Sequence, residues 1–149
     1  MTAVERASVD VISLTMQSTD GQPLSAALPG QYVVLHLQTT AAGPPLLRSY
    51  SLSGPLSTER YRISVKIEPN GAAGTYLREH IRAGDALNVT SPRGSFILES
   101  GELPLVLLSA GIGATPVLAM LQALTEARST RQILRIQSSS RSGPSSVRR

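Results

Sequence analysis

The sequence predicts a mainly β fold: a small antiparallel barrel or sandwich with one short helix, followed by a single β–turn–α unit. Two observations support this prediction. The first hundred residues consist of short segments that alternate apolar and polar side chains, separated by turns rich in Gly and Pro. A continuous apolar run at residues 103–108 then leads through a glycine turn into a helical pattern. A length of 149 residues corresponds to one domain, or to one domain and a fragment.

Six segments are predicted as strands of the barrel: residues 5–17, 30–38, 46–54, 60–68, 86–92 and 94–100. In the second segment, Val33, Leu35 and Leu37 share one face, as expected for a half-buried strand. His36 alternates with them, so we expect its side chain at the solvent or at the rim of a barrel. The fourth segment alternates in the same way.

Two helices are predicted. The first covers residues 75–81, with Thr75 as its N-cap and Gly84 beyond its C-terminal end. The second follows the apolar run, with Thr115 as N-cap and Pro116 at the first helical position. Its predicted core face carries Val117, Leu118, Leu121 and Leu124.

The pattern divides the chain into a barrel at 1–101, a first β–α unit at 102–128 and a Ser/Arg-rich tail at 129–149. We expect the tail to be disordered, although residues 131–137 could form one strand. Residues 128–149 hold six Arg and no acidic residue. The rest carries 8 basic and 10 acidic side chains, so the net charge of +4 comes from the tail. A nucleic-acid-binding face within the fold is therefore not expected, and an Arg-rich arm is the remaining nucleic-acid alternative.

The composition also limits the chemistry and the location. The absence of Cys excludes disulfides and thiolate metal sites within the chain, and two His residues are too few for an imidazole-rich site. We therefore expect no metal. The apolar segment 103–124 is long enough to span a bilayer, but "SAGIGATP" would break such a helix. Because the N-terminus also lacks a signal-peptide pattern, we expect a cytoplasmic protein without membrane contact.

Three stretches contain residues suited to binding a nucleotide. In "RSYSLS", Arg48 can pair with a phosphate, Tyr50 offers a ring for stacking, and Ser51 a hydroxyl. Taken alone, such a strand is more often an exposed barrel edge. In "EPNGAAGTYLREHI", Gly71 and Gly74 precede a helix whose free N–H groups attract anions, although an ordinary glycine turn has the same pattern.

The third stretch is "SAGIGATP", where Gly111 and Gly113 would let phosphates approach the backbone at the start of a helix. Pro116 occupies the third glycine position of the common G-x-G-x-x-G motif, so this turn alone is a weak signal.

Together these motifs resemble the ferredoxin–NADP reductase-like flavoproteins, in particular bacterial reductases similar to the reductase module of flavohaemoglobins. The resemblance covers residues 5–125 and rests on the order of the motifs along the chain: "LPGQYVVL" at 28–35, "RSYS" at 48–51, "NGAAGTYL" at 70–77, "GD" at 84–85, "PRGSF" at 92–96 and "SAGIGATP" at 109–116. It implies a six-stranded antiparallel flavin-binding barrel, followed by an incomplete Rossmann-like unit of one strand and one helix.

The resemblance also implies roles for individual residues. Arg48 would bind the pyrophosphate of FAD, which is favoured over FMN, and Gly71 to Leu77, including Gly74, Thr75 and Tyr76, would hold the same group. Ser49, Tyr50 and Ser51 would lie along the flavin. Val65, Lys66 and Ile67 would pass beside the flavin mainly through their backbone groups. The nicotinamide nucleotide would be met by Gly111, Gly113, Thr115 and Pro116. Ser51 and Thr115 would lie nearest the reacting atoms.

In this family NAD(P)H gives a hydride to the flavin, which releases electrons singly to an acceptor protein or domain such as a haem or an iron–sulfur cluster. The family's later motifs have no counterpart after residue 125, so we expect an incomplete nicotinamide site and slow or absent reduction by NAD(P)H. The composition of the tail suggests a frameshifted or truncated gene. The alternative function is a flavin-free barrel that binds a partner through the apolar segment 103–124.

Overall fold

The computed structural model describes residue 1 and residues 3–138. It contains eight strands, two α-helices and one 3₁₀ turn: β1 (Ala3–Arg6), β2 (Val11–Met16), β3 (Tyr32–Leu37), β4 (Leu46–Ser51), β5 (Tyr61–Lys66), α1 (Ala72–His80), β6 (Asn88–Val89), β7 (Leu105–Ala110), the 3₁₀ turn (Gly111–Gly113), α2 (Ala114–Glu126) and β8 (Ile133–Ser138). The predicted mainly β fold class is confirmed.

The first six strands form two antiparallel three-stranded sheets, in the orders β1-β2-β5 and β4-β3-β6. The two sheets are joined at a single isolated bridge between Leu52 and Ile63. The count of six strands agrees with the sequence, but the strands of the described chain do not close into a continuous barrel. Beyond this bridge no ladder joins β4 to β5 in the described chain, and this unpaired stretch between the two strands is called the gap below.

The barrel core forms because apolar side chains alternate along the central strands. Val33, Leu35 and Leu37 are at most 1% exposed, whereas His36 between them is exposed, as the alternation predicts. The helix α1 closes one end of this core with Leu77 and Ile81.

Two strand predictions were wrong in detail. Residues 5–17 form two strands instead of one, because a turn at 7–10 reverses the chain: the N–H groups of Ala7 and Ser8 both donate to the Val11 carbonyl. Residues 94–100 form no strand. Arg93 pairs with Tyr32 as an isolated bridge, and Phe96 beyond it is 62% exposed.

The helix α1 starts three residues earlier than the pattern predicted. Asn70 adopts a left-handed conformation (φ 68°), and Gly71 becomes the N-cap. The Thr75 N–H therefore donates to the Gly71 carbonyl within the helix (3.0 Å), and Thr75 is not the N-cap.

The α/β unit consists of β7, β8 and α2. β7 and β8 are parallel, and α2 covers one face of this pair through a small core of Leu107, Val117 and Met120. On the predicted apolar face of α2, Val117 and Leu124 are buried, whereas Leu118 is 45% exposed, because the helix turns Val117 and Met120 toward the sheet.

The unit contains a second strand, in agreement with the expectation that residues 131–137 could form one. Residues 133–138 pair with β7 in parallel register, so the β–α unit extends past the predicted boundary at residue 128. The hydrogen bonds that Arg131 donates to the carbonyls of Leu103 (2.9 Å) and Glu99 (3.0 Å) hold the start of β8 beside β7. The rest of the predicted tail, 139–149, lies outside the described residues.

Gly30 connects the barrel to the α/β unit. It has a positive φ of 105°, and a Cβ at this position would lie 2.2 Å from the Phe96 carbonyl oxygen and 2.5 Å from the Met120 methyl group. Only glycine allows this approach without displacing backbone. Across the described part of the chain, neither helix is long and apolar enough to cross a lipid bilayer.

Candidate flavin site

The predicted motif at residues 48–51 lies on β4, at the opening between the two sheets. Arg48 is exposed, and its Nη1 donates to the carbonyl of the preceding Leu47 (2.7 Å). Tyr50 is half-buried against the barrel core, and burial raises the pKa of its hydroxyl, an effect that the charge of Arg48 partly offsets. Ser49 is exposed and Ser51 half-buried. The strand thus presents a guanidinium and the ring of a neutral tyrosine side by side.

The edges of β4 and β5 face each other across a gap. β4 pairs only with β3, and β5 only with β2, so each is an outer strand of its sheet. Next to the Leu52–Ile63 bridge, the Ser53 N–H donates to the Arg62 carbonyl (2.8 Å). Beyond this point, toward Arg48 on one strand and Lys66 on the other, no further ladder joins the two edges in the described chain. Unpaired strand edges leave backbone donors and acceptors available to a ligand.

Backbone alternation shows which groups of β4 line the gap. The Leu52 N–H donates to the Gln31 carbonyl on the β3 side, whereas the Ser53 N–H donates toward β5. Because successive residues of a strand direct their N–H and C=O groups to opposite sides, Ser51 and Ser49 also direct theirs toward β5.

The same reasoning applies to β5. The Ile67 N–H donates to the Asp10 carbonyl on the β2 side (2.6 Å), so the backbone groups of Lys66 point toward β4. Of the three residues predicted to pass the flavin through their backbone, Lys66 faces the gap. Val65 and Ile67 direct their backbone toward β2, and the Val65 side chain is 1% exposed in the barrel core.

The N-terminus of α1 lies at the end of β5. A Cβ at Gly74 would be 3.4 Å from the Ile67 Cα and from the Lys66 carbonyl oxygen, so the first turn of the helix packs against the end of the strand. The N–H groups of Ala72, Ala73 and Gly74 have no partner within the helix. Lys66 adds a positive charge here, and its hydrogen bond and ion pair with Glu68 (2.7 Å) raise its pKa.

The structure thus brings two of the three predicted stretches together. Arg48 to Ser51 lie on the edge of β4 that faces β5, and the first turn of α1 packs against the end of β5 at Lys66 and Ile67, so both stretches adjoin β5. This set of donors fits a flavin dinucleotide: guanidinium and helical N–H groups suit a pyrophosphate, an aromatic ring suits the flat flavin, and edge backbone groups suit the polar rim of its ring system.

The third stretch lies on the α/β unit. Gly111 to Gly113 form the 3₁₀ turn and α2 begins at Ala114, so Thr115 lies inside the first turn, 7% exposed, and does not cap the helix as predicted. Pro116 accordingly occupies the third helical position instead of the first. The hydroxyl of Ser109, just before the turn, is buried without a hydrogen-bond partner in the described structure. No hydrogen bond or ion pair joins residues 109–116 to residues 48–51 or 65–76 in the described chain.

Sequence reasoning missed two features of the site. Asn70, whose left-handed conformation sets the start of α1, was identifiable from the Asn-Gly pair, a common turn signal. The gap between β4 and β5 had no sequence signal, because pairing between strands depends on the whole fold. No cluster of three or more potential metal ligands occurs among the described residues.

Several curated proteins are similar to the chain. The flavohemoprotein of Pseudomonas aeruginosa is 45% identical over 127 residues, which cover 85% of this chain and 32% of the relative. The flavohemoprotein of Deinococcus radiodurans is 42% identical over 123 residues, covering 83% and 30%. The chain thus spans about a third of the length of these relatives.

Solved structures share the fold. The flavohem-like FAD/NAD binding domain of nitric oxide dioxygenase from Vibrio cholerae superposes with a TM-score of 0.85 at 30% identity, over 94% of this chain and 61% of that chain. A flavohemoglobin from Malassezia yamatoensis with bound FAD and heme gives a TM-score of 0.81 at 29% identity, over 93% and 36%. Phthalate dioxygenase reductase also gives 0.81, at 26% identity, over 93% and 42%.

The model of the oxidoreductase FAD-binding domain matches residues 1–97, about two thirds of the chain and the whole of the two-sheet barrel with α1. The matched region contains every residue that borders the gap. The predicted resemblance to ferredoxin–NADP reductase-like flavoproteins is confirmed, and the chain belongs to the oxidoreductase FAD-binding domain family.

Proposed function

We propose that this chain binds FAD at the gap between β4 and β5 and serves as the flavin module of an oxidoreductase that carries electrons from NAD(P)H to a haem or iron–sulfur acceptor. One observation supports the binding site above all others. Two unpaired strand edges, the Arg48 guanidinium and the free N–H groups of α1 border the same opening. Each group alone is common in proteins, but together they match the parts of one dinucleotide.

The roles follow from the chemistry of the groups. Arg48 and the N–H groups of Ala72, Ala73 and Gly74 would neutralise and orient the pyrophosphate, with Gly71 as the N-cap and Thr75 and Tyr76 on the following turn. The Tyr50 ring would exclude water from one side of the flavin, and Ser49, Ser51 and Lys66 would bind its polar rim. Val65 and Ile67 support this site from the core side. When bound, the flavin supplies hydride acceptance and one-electron release.

The nicotinamide nucleotide would approach Gly111, Gly113, Thr115 and Pro116, with Ser51 and Thr115 nearest the transfer. The unpartnered hydroxyl of Ser109 beside this turn supports a polar ligand there. The acceptor is proposed from the neighbours, whose names include heme for the Malassezia protein and [2Fe-2S] for phthalate dioxygenase reductase. A cytoplasmic location stays a prediction.

Titration of the purified chain with FAD tests the binding site. We expect FAD to bind with a shift of its visible bands and quenching of its fluorescence by Tyr50, and FMN, which lacks the pyrophosphate, to bind more weakly. A chain that binds neither would contradict the proposal. Anaerobic addition of NADH to the FAD-loaded chain then tests the proposed nicotinamide site at Gly111 to Pro116. Bleaching of the flavin faster than that of free FAD would support this site, and bleaching no faster than that of free FAD would contradict it.

The flavin-free alternative is favoured by one observation. On the face of β7 and β8 away from α2, Val106, Leu108, Leu134 and Ile136 are all more than 50% exposed and lie side by side in register. Parallel sheets are ordinarily covered on both faces. The occupant we propose is a second copy of this chain, because the face is purely aliphatic and the same face of another copy would be complementary to it.

Light scattering across a range of concentrations tests this association. We expect a dimer that Leu108→Ser with Ile136→Ser converts to a monomer. A wild-type monomer at all concentrations would contradict it, and an FAD-free dimer would favour the alternative function over the flavin module.

A further inference from the structure

The point where β4 and β5 meet is held by side chains as well as by backbone. The Ser64 hydroxyl, on β5, donates to the Ser53 hydroxyl just beyond β4 (3.0 Å), and both residues are half-buried. The neighbouring backbone contact, from Ser53 N–H to Arg62 carbonyl, is 2.8 Å long. Side chain and backbone thus join the same two strands at the closed end of the gap.

Arg62 extends this contact across the outer face of the barrel. Its Nη2 donates to the Ser13 hydroxyl on β2 (3.0 Å). A Cβ at Gly54 would lie 2.9 Å from the Arg62 Cβ, so the stem of the arginine packs directly against the Gly54 backbone. Ser13 lies between the core residues Ile12 and Leu14, and therefore faces outward, yet it is 1% exposed. The Arg62 side chain therefore lies over Ser13 and is held there by this hydrogen bond.

These contacts lie beside the Leu52–Ile63 bridge, at the end of the gap where β4 and β5 come together. From Ser53, the wall of β4 continues to Ser51 and Ser49. From Ser64, the wall of β5 continues to Lys66. A change in the contact between Ser53 and Ser64 would alter the separation of these backbone groups along both walls. This effect requires no contact between Ser53, Ser64 or Arg62 and the ligand.

We propose that Ser53, Ser64 and Arg62 form a clasp that positions FAD by fixing the width of the gap between β4 and β5. The inference rests on the proposed function and identifies positioning residues, which act through the backbone groups of Ser49, Ser51 and Lys66. The clasp contributes little to folding itself, because the barrel core already buries thirteen side chains. Its effect is concentrated on the two outer strands, which form no ladder with each other beyond the Leu52–Ile63 bridge in the described chain.

The test uses the full chain and compares Ser64→Ala, Ser53→Ala and the double variant with Ser91→Ala. The control removes a hydroxyl from a similar pair, Ser25 and Ser91 (3.3 Å), which joins two loops away from the gap. We expect each clasp variant to weaken FAD binding about threefold to tenfold, since a neutral hydrogen bond is lost. The double variant should be no worse than either single variant, because both remove the same bond. Ser64→Thr keeps the hydroxyl and should restore affinity.

A second measurement separates positioning from general weakening. At saturating FAD, the clasp variants should shift the visible flavin bands and the midpoint potential, whereas Ser91→Ala should leave both at their wild-type values. Arg62→Met keeps the stem over Gly54 but loses the bond to Ser13, and should shift the bands in the same direction. Should Ser64→Ala fail to fold, Ser53→Ala removes the same hydrogen bond from β4.

The possible failures are distinguishable. A wild-type chain that binds no FAD contradicts the proposed function itself. A wild-type chain that binds FAD, together with clasp variants whose affinity, bands and potential match Ser91→Ala, overturns the clasp alone. Variants that lose thermal stability without any change in the bound flavin would likewise show that the clasp is merely structural.

Discussion

The barrel and the α/β unit each present a helix that begins at a glycine next to the end of a strand, but the two helix starts have different surroundings. At α1, the opening is bordered by Arg48, two unpaired strand edges and a core of thirteen buried side chains. At α2, residues 109–116 carry no charged side chain, and the unit's core consists of three buried side chains. A glycine-led helix start becomes a specific site only where other elements supply charge and rigidity.

The largest expected difference lies in the cores. Leu35→Ala removes a side chain that is 0% exposed in the barrel, and should lower the free energy of unfolding by about 2–5 kcal/mol through lost burial and a cavity. Denaturant unfolding followed by circular dichroism measures this loss. Leu47→Ala, on the neighbouring strand but 49% exposed, is the control and should change stability by less than about 0.5 kcal/mol. Similar losses for both would mean that the barrel core is not packed as described.

The next effect concerns the charge beside α1. Arg48→Ala should weaken FAD binding about 10-fold to 150-fold, or about 1.5–3 kcal/mol, because the pyrophosphate loses a charged hydrogen-bond donor. Fluorescence titration gives the dissociation constant. Arg60→Ala is the matched control, since this exposed arginine pairs with Glu59 (3.8 Å). Unchanged affinity in Arg48→Ala would remove the main distinction between the two helix starts.

Gly74 tests the first turn of α1 directly. A Cβ there would make ordinary 3.4 Å contacts, so Gly74→Ala should stabilise the FAD-free chain by up to about 1 kcal/mol through helix propensity. Gly84 has a positive φ of 97° with open space around it, so Gly84→Ala should destabilise by about 1 kcal/mol through strain alone. Thermal unfolding of both variants reports the signs. Destabilisation by Gly74→Ala would indicate that the helix packs more tightly on β5 than described.

The smallest effect belongs to the uncovered face of the α/β unit. Leu108 is 65% exposed, so Leu108→Ser should change the free energy of unfolding by less than about 0.5 kcal/mol at concentrations where the chain is monomeric. Denaturant unfolding at low protein concentration measures it. A loss above about 2 kcal/mol would show that this face is covered in solution, and the contrast with the barrel would then disappear.

Local patterns predicted much of the fold. The alternation of Val33, Leu35 and Leu37 placed their side chains in the core and His36 outside, and the motif order identified the family. The beginnings of the helices were less predictable: Thr75 and Thr115 resemble N-caps by residue type, but Asn70 and the 3₁₀ turn at Gly111–Gly113 determine where the chain begins to turn.

Features that depend on distant contacts had no local signal. Ser13 is a small polar residue on an outward face, yet it is 1% exposed and accepts a hydrogen bond from Arg62, 49 positions later. The opening between β4 and β5 depends on which strands pair, and a strand's residues do not encode the absence of a partner. The strand at 133–138 was assigned mostly to the tail because its polar neighbours outweighed its short apolar pattern.

The small core of the α/β unit also has a consequence for the time scale on which backbone amides exchange with solvent deuterium. Amides of β2, β3 and β5 lie over a core that opens only when the whole domain unfolds, so they should exchange last. Amides of β7 and β8 are held by three buried side chains and by the Arg131 contacts, and should exchange earlier through local opening. The chain should therefore exchange in two steps, with the α/β unit opening while the barrel is still folded.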